Sequence, residues 1–191
     1  MSKISPISLI SSDLFRYEGK SSFKLFLKLF LKNPYFRFQV YLRMTQSSNF
    51  LVACFFKFLK AGLGRKVNVQ LSPKISIGYG LYIPHGNIVA NARTTIGNNC
   101  SLLQFVSIGA INNSVAACIG DNVYIGPNTN LVGTINIGNN SVLGAGSVVV
   151  KDIQADSVVV GCPAKTIKKV VDINEYCNNL CSSDFINKAN K

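Results

Sequence analysis

The sequence predicts a mainly β protein, a solenoid of short strands preceded by a short α-helical N-terminal region. Three observations carry this. Ile119, Ile125, Leu131, Ile137, Leu143 and Val149 recur every six residues without a slip, and glycine directly follows four of them. Two residues before each stands Ala117, Val123, Thr129, Ile135, Ser141 or Ser147, all able to share one inner wall. Upstream of Lys66 the apolar residues follow helical spacing instead. A period of six fits neither an amphipathic helix nor an alternating strand. It marks a solenoid whose strands meet at corners.

The helices come first in the chain. Ser21 or Ser22 caps a helix in which Phe23, Phe26, Leu27, Phe30 and Leu31 form one face, with Lys24, Lys28 and Lys32 on its flank. Asn33-Pro34 ends it. A second helix is predicted over Tyr35–Met44. A third runs from Ser48 or Asn49 to Lys60 and stops at Gly62 and Gly64. The apolar run Phe50–Phe56 is too short to span a bilayer, which takes about 20 residues. Residues 1–66 carry twelve Lys or Arg against Asp13 and Glu18, a net of +10 out of +12 for the chain. Such a basic, aromatic-rich region is expected to cap the solenoid, with peripheral contact to an anionic membrane surface as the second reading.

The solenoid itself is predicted over 67–169, with a C-terminal tail at 170–191. Leu71, Ile77, Ile83 and Val89 keep the six-residue beat. Ile96, Leu102 and Ile108 resume it after a one-residue slip placed around Asn91–Thr95. Between Ile108 and Ile119 the interval is eleven, so Ala110–Cys118 should project as a loop. Repeats build scaffold, so function should gather at the breaks.

Composition narrows the classes. Hydrophobic content of 48% supports a continuous core. The six cysteines show no metal-ligand spacing. Cys100 and Cys118 fall at expected wall positions, read as free buried thiols of a reduced compartment. No signal peptide is evident. A nucleic-acid partner is not expected despite the pI near 9.6, because no recognition element accompanies the charge. No metal is expected.

The candidate chemistry rests on His85, the chain's one histidine, in Tyr82-Ile83-Pro84-His85-Gly86-Asn87 beside a break in the beat. A histidine suits general-base work, its reference pKa lying near 6.5.

An ordered set of elements carries a family resemblance over about Val69–Lys169. It comprises Ser72-Pro73, Ile77-Gly78-Tyr79-Gly80, the run Ser101–Gly109, Leu143-Gly144-Ala145-Gly146-Ser147-Val148-Val149, and Val160-Gly161-Cys162-Pro163-Ala164-Lys165. Together they resemble the left-handed parallel β-helix of hexapeptide-repeat acyltransferases, nearest in pattern to the serine acetyltransferase branch. The resemblance implies an acetyl-CoA-dependent O-acetyltransferase, usually a homotrimer with sites between neighbouring solenoids. It implies that His85 is the catalytic base. It places Gly126, Ala145 and Gly146 along the pantetheine arm and Pro163, Ala164 and Lys165 near the nucleotide end, with Lys165 toward phosphate. For the first three, plain corner geometry is the alternative reading.

Departures from that branch set the acceptor expectation. Where the branch has an orienting aspartate fifteen residues before the histidine, this chain has Gln70, and Pro84 replaces a second aspartate. The loop Asn112-Asn113-Ser114-Val115-Ala116-Ala117 holds no second histidine. The helical part is shorter, and the chain ends in Lys191 without the terminal isoleucine by which that branch docks onto its partner synthase. Gln70 and Asn87 are the candidates to orient the ring or meet substrate. A short basic cap is similar to acetyltransferases of bacterial capsule and O-antigen synthesis. The expected acceptor is therefore a sugar hydroxyl on a nucleotide-sugar, an oligosaccharide or a lipid-linked glycan. The expected location is cytoplasmic, at times at the inner face of the membrane. Serine O-acetylation is the alternative enzyme reading, and a non-catalytic scaffold or binding module the alternative of another class.

Overall fold

The computed structural model describes residues 4–112 and 114–189; Asn113 and Lys191, named above, lie outside them. Four helices lead into a parallel β-solenoid of five coils. Each strand pairs with its counterpart one coil away, giving three flat faces. One face holds β1 (Val69–Leu71), β3 (Ile88–Ala90), β6 (Ser107–Gly109), β9 (Asn130–Val132) and β12 (Val148–Val149). The next holds β2 (Ser76–Ile77), β4 (Thr95–Ile96), β7 (Cys118–Ile119) and β10 (Asn136–Ile137). The third holds β5 (Ser101–Leu102), β8 (Tyr124–Ile125), β11 (Val142–Leu143) and β13 (Ser157–Gly161), closed by the antiparallel β14 (Ala164–Lys169). The fold class is thus the expected one.

The inner wall follows the beat. Ile119, Ile125, Leu131, Ile137, Leu143 and Val149 are all at most 3% exposed, and Ala117, Val123, Thr129, Ile135, Ser141 and Ser147 are buried with them. Buried hydroxyls need partners. Thr129 and Ser147 both donate to the Gly144 carbonyl, at 3.1 and 2.7 Å, and Ser141 donates to the Gln154 carbonyl at 3.1 Å.

The corner after the second face carries an amide ladder. Asn99 Nδ2 donates to Asn122 Oδ1, Asn122 Nδ2 to Asn140 Oδ1, and Asn140 Nδ2 to Asp156 Oδ1, at 3.1, 2.9 and 2.9 Å. All four residues have positive φ. Asparagine and aspartate tolerate that conformation, and the spare amide hydrogen binds the coil below.

Two expectations about the beat are corrected. Val89 is 44% exposed, while Ile88 and Ala90 are buried. Ala90 stacks on Leu71 and Ile108, so the extra residue sits between Ile83 and Ala90, at the His85 corner and not at Asn91–Thr95. Cys118 is exposed, as the outward residue of β7, whereas Cys100 is buried. Both are free thiols.

The helices are α1 (Pro6–Glu18), α2 (Phe23–Lys32), α3 (Pro34–Met44) and α4 (Phe50–Val67). Ser22, one of the two predicted candidates, caps α2; Asn33, read from the sequence as the end of that helix, also caps α3. Asn49 starts α4, but the helix runs through Gly62 and Gly64 to Val67 and ends at Asn68 with φ 55°. Gly64 lies against the Val69 carbonyl and the Phe38 ring, so packing overrides its weak helix propensity. Helix α1 was not expected.

The cap meets the first coil through hydrogen bonds as well as apolar contact. A terminal coil leaves upward-pointing backbone groups without a neighbour. Arg43 donates to the Ile77 and Gly78 carbonyls, Arg16 to Gly80, Gln39 to Leu81, Tyr17 to Ile83 and Lys60 to Leu71. Ser12 accepts from the Gly80 N–H and Asp13 from the Leu81 N–H. The segment beyond β14 is also ordered. It crosses back to α1, burying Cys177 and Cys181, and its helix α5 (Ser183–Ala189) sets Phe185 against Phe15 at 4.9 Å.

Candidate active site

The His85 corner joins the third face to the first. Counting along the ladders through Val89, Ser107, Asn130 and Val148 lines up Asn87, Phe105, Asn128 and Gly146 at this corner in successive coils. Their φ values, 60°, 62°, 58° and 70°, confirm one shared geometry. His85 lies two residues before Asn87, and Gly126 and Gly144 stand two before Asn128 and Gly146. One edge of the prism therefore carries, from the cap downward, His85, then Gln104-Phe105, then Gly126, then Ala145 and Gly146, and finally the hairpin turn that holds Pro163, Ala164 and Lys165. Coils stack about 4.8 Å apart, so His85 stands roughly 10 Å above the Gly126 corner.

His85 is exposed, and among the described residues it forms no ion pair with a carboxylate; its aromatic neighbour is Tyr35, edge-on at 6.3 Å. Gly86 fixes the corner. It is buried, and a Cβ there would fall 2.0 Å from the Val67 carbonyl oxygen and 3.0 Å from the Tyr35 ring. The chain thus passes directly beneath the last turn of α4, where Asn87 N–H donates to the Val67 carbonyl at 3.4 Å. The residue types follow from this: a glycine for close approach, then an asparagine in the left-handed region.

Asn87 belongs to the His85 corner. Gln70 is exposed on β1 beside Val89, lining a cavity of about 500 Å³ with Lys60, Arg65 and Asn68. Lys60 is half-buried there, and desolvation lowers its pKa. Pro84 is partly buried at the corner itself.

Among the expected donor-binding residues, Gly126 is buried, its missing Cβ replaced by the Leu143 carbonyl and Ala145 N–H at 2.8 and 2.9 Å. Close coil stacking alone demands glycine there. Ala145 and Gly146 are exposed, and a Cβ on Gly146 would meet nothing within 4 Å. Pro163 and Lys165 are exposed on the hairpin, and Ala164 is half-buried. Sequence reasoning assigned no role to Gln104, whose Oε1 is buried without a hydrogen-bond partner among the described residues. Its signal lay in the Ser101–Gly109 run. Among the described residues no group of three or more His, Cys, Asp or Glu could hold a metal.

This fold and edge are similar to those of hexapeptide-repeat transferases. Residues 119–151 match the family model described as bacterial transferase hexapeptide (six repeats). The chain is 33% identical to a serine acetyltransferase of Synechococcus elongatus over 103 residues, 52% of this chain and 42% of that one. It is 32% identical to serine acetyltransferase 2 of Arabidopsis thaliana over 114 residues, 58% and 35% of the two chains. The chain thus spans less than half the length of these relatives. Among solved structures, serine acetyltransferase of Neisseria gonorrhoeae in complex with serine superposes with TM-score 0.68 at 28% identity, covering 85% of this chain and 69% of that one. The soybean apoenzyme gives 0.73 at 26% identity, with 87% and 70% covered.

These likenesses overturn the expected acceptor. The departures at Gln70 and Pro84 favoured a surface-polysaccharide sugar over serine, yet the matched proteins are serine acetyltransferases. The solved structures match over more than four-fifths of this chain, helices included.

Proposed function

We propose that this chain is an acetyl-CoA-dependent O-acetyltransferase whose acceptor is the hydroxyl of L-serine. The observation that supports this reading most is the single edge on which His85 stands in line with the small, exposed corner residues Ala145 and Gly146. Small corners leave room for the thin pantetheine arm against backbone, and the hairpin with Lys165 lies at the far end for the nucleotide phosphates. His85 takes the proton of the acceptor hydroxyl as its oxygen attacks the thioester carbonyl. The tetrahedral intermediate collapses to the ester, expelling the CoA thiolate, which recovers the proton from His85. No covalent enzyme intermediate is needed. Tyr35 packs edge-on against the His85 ring, and the tight corner at Gly86 fixes its backbone.

The acting form in this reading is a homotrimer. The outward row Gln70, Val89, Ser107, Asn130 and Val148, with the loop residues Ile111 and Val115 each 56% exposed, forms the side of the site to be closed by a neighbour. The deciding experiment incubates the protein with acetyl-CoA and L-serine and follows free thiol and O-acetylserine. Serine-dependent CoA release is expected; release no faster than without acceptor rejects serine. Light scattering that shows a monomer at micromolar concentration rejects the trimer.

A further inference from the structure

We propose that the outer face of the helical cap is a docking surface for an anionic lipid membrane. Phe23, Leu27 and Leu31, four residues apart along α2, are 79%, 45% and 64% exposed. Leu25, Phe26, Leu29 and Phe30 turn inward against Phe36 and Val40, so the exposed row is a surplus that the cap's own core does not use. Helix α4 adds Phe50, Leu51, Phe55 and Phe58, exposed by 74%, 76%, 58% and 78%. Aromatic contacts from Phe30 to Tyr41 to Phe56 to Phe55 link the two helices. Beside this face, chiefly between α1 and α2, opens an apolar groove of about 640 Å³, lined by Ile7, Leu14, Phe23, Leu27 and Phe30 with Phe56 of α4 at its margin. Contiguous apolar surface of this kind marks a binding face.

Charge decides the occupant. Lys24, Lys28 and Lys32 form the row beside Phe23, Leu27 and Leu31, all exposed. Of the two acidic groups of the cap, Asp13 is buried against Arg43 and Glu18 pairs with Lys28 at 3.8 Å, so the row keeps a net positive charge. A second copy docked face to face would set lysine rows against each other, which disfavours association. An anionic leaflet complements the row while taking up the aromatic side chains. With ten residues, α2 is about 15 Å long, so it lies in the interface and does not cross it. Among the described residues no helix is long and apolar enough to cross a membrane. This inference is independent of which hydroxyl is acetylated.

The test is co-sedimentation of the full chain with vesicles of phosphatidylcholine containing 30% phosphatidylglycerol, against pure phosphatidylcholine. Binding should require the anionic lipid and fall between about 0.1 and 1 M salt, as the screening length drops from about 10 to about 3 Å. K24Q/K28Q/K32Q should lower the partition coefficient roughly a hundredfold, about fivefold per lysine. The chain has no tryptophan, so Phe58→Trp supplies one reporter, and brominated lipid should quench it. All four positions are exposed and the variants should fold, which circular dichroism checks. Wild-type protein that stays in the supernatant with anionic vesicles at low salt overturns the proposal, as does equal binding to pure phosphatidylcholine. So does an unquenched tryptophan on sedimented protein, or self-association that is lost in F23S/L27S/L31S without any vesicle binding.

Discussion

Arg43 Nε and Asp13 Oδ2 meet at 2.9 Å with each side chain 1% exposed, a fully buried ion pair between α3 and α1. Burial pushes the Asp13 carboxyl up, and Arg43 is the main influence drawing it back. Arg43→Met leaves that carboxyl buried without its partner, so destabilisation of about 3–5 kcal/mol is expected in denaturant titration at pH 7. In the variant the folded carboxyl titrates above its unfolded value. The proton then binds the folded state more tightly, and the loss should shrink as pH falls toward 4. A loss that is constant with pH would detach the effect from Asp13.

Replacing His85 by Asn should lower turnover roughly 10²- to 10⁴-fold while leaving acetyl-CoA affinity near that of the parent. Steady-state kinetics with calorimetric titration of donor separates the two. An active His85→Asn enzyme would remove the ring from the reaction.

Gly86→Ala tests the corner that holds His85. The added Cβ cannot sit 2.0 Å from the Val67 carbonyl, so the loop or the end of α4 must shift. Turnover is expected to fall about a hundredfold through the displaced ring, with a lower melting temperature. Parent-like activity would show that the corner tolerates movement.

Gly146→Asn isolates space from conformation. Asparagine holds the same left-handed corner at Asn68, Asn87 and Asn128, so the backbone accepts it. Stability should change by less than about 0.5 kcal/mol, while the side chain enters the open edge and raises the acetyl-CoA KM about tenfold or more. An unchanged KM would move the donor elsewhere.

The thiols should fall into two groups. Cys54, Cys118 and Cys162 are exposed, while Cys100, Cys177 and Cys181 are buried. Burial pushes Cys100 and Cys181 to about 12, so neither forms thiolate near pH 8. Three thiols should react promptly with an aromatic disulfide and three only after unfolding.

The inner wall was legible because one residue type in six faces a continuous core, and a period survives whatever surrounds it. The cap Ser22 was legible for a similar reason, serving its own neighbouring N–H group, whereas Asn33 was read only as a helix end and not as the cap of α3. What was missed depends on distant partners. Helix α1 carries Asp13 and Arg16, whose partners lie in α3, in the first coil and beyond β14. No local pattern announces them. Val89 misled because an exposed valine counts the same as a buried one when the beat is read on paper. For the site, His85 was identifiable as a unique titratable group at a break. Its alignment with Ala145 and Gly146 appears once the coils are stacked.

The corner ladder built from Asn99, Asn122, Asn140 and Asp156 has a bearing on how this architecture can vary. Each amide is bonded to the rung beneath it, and the last rung is a carboxylate with no amide hydrogen to pass on. Deleting part of a coil would break the rung that spans it, whereas deleting a whole coil would rejoin the ladder. The span from His85 to the 161–165 hairpin is therefore quantised: it lengthens or shortens in whole coils of about 4.8 Å, and descent can tune the reach of the edge only in integers.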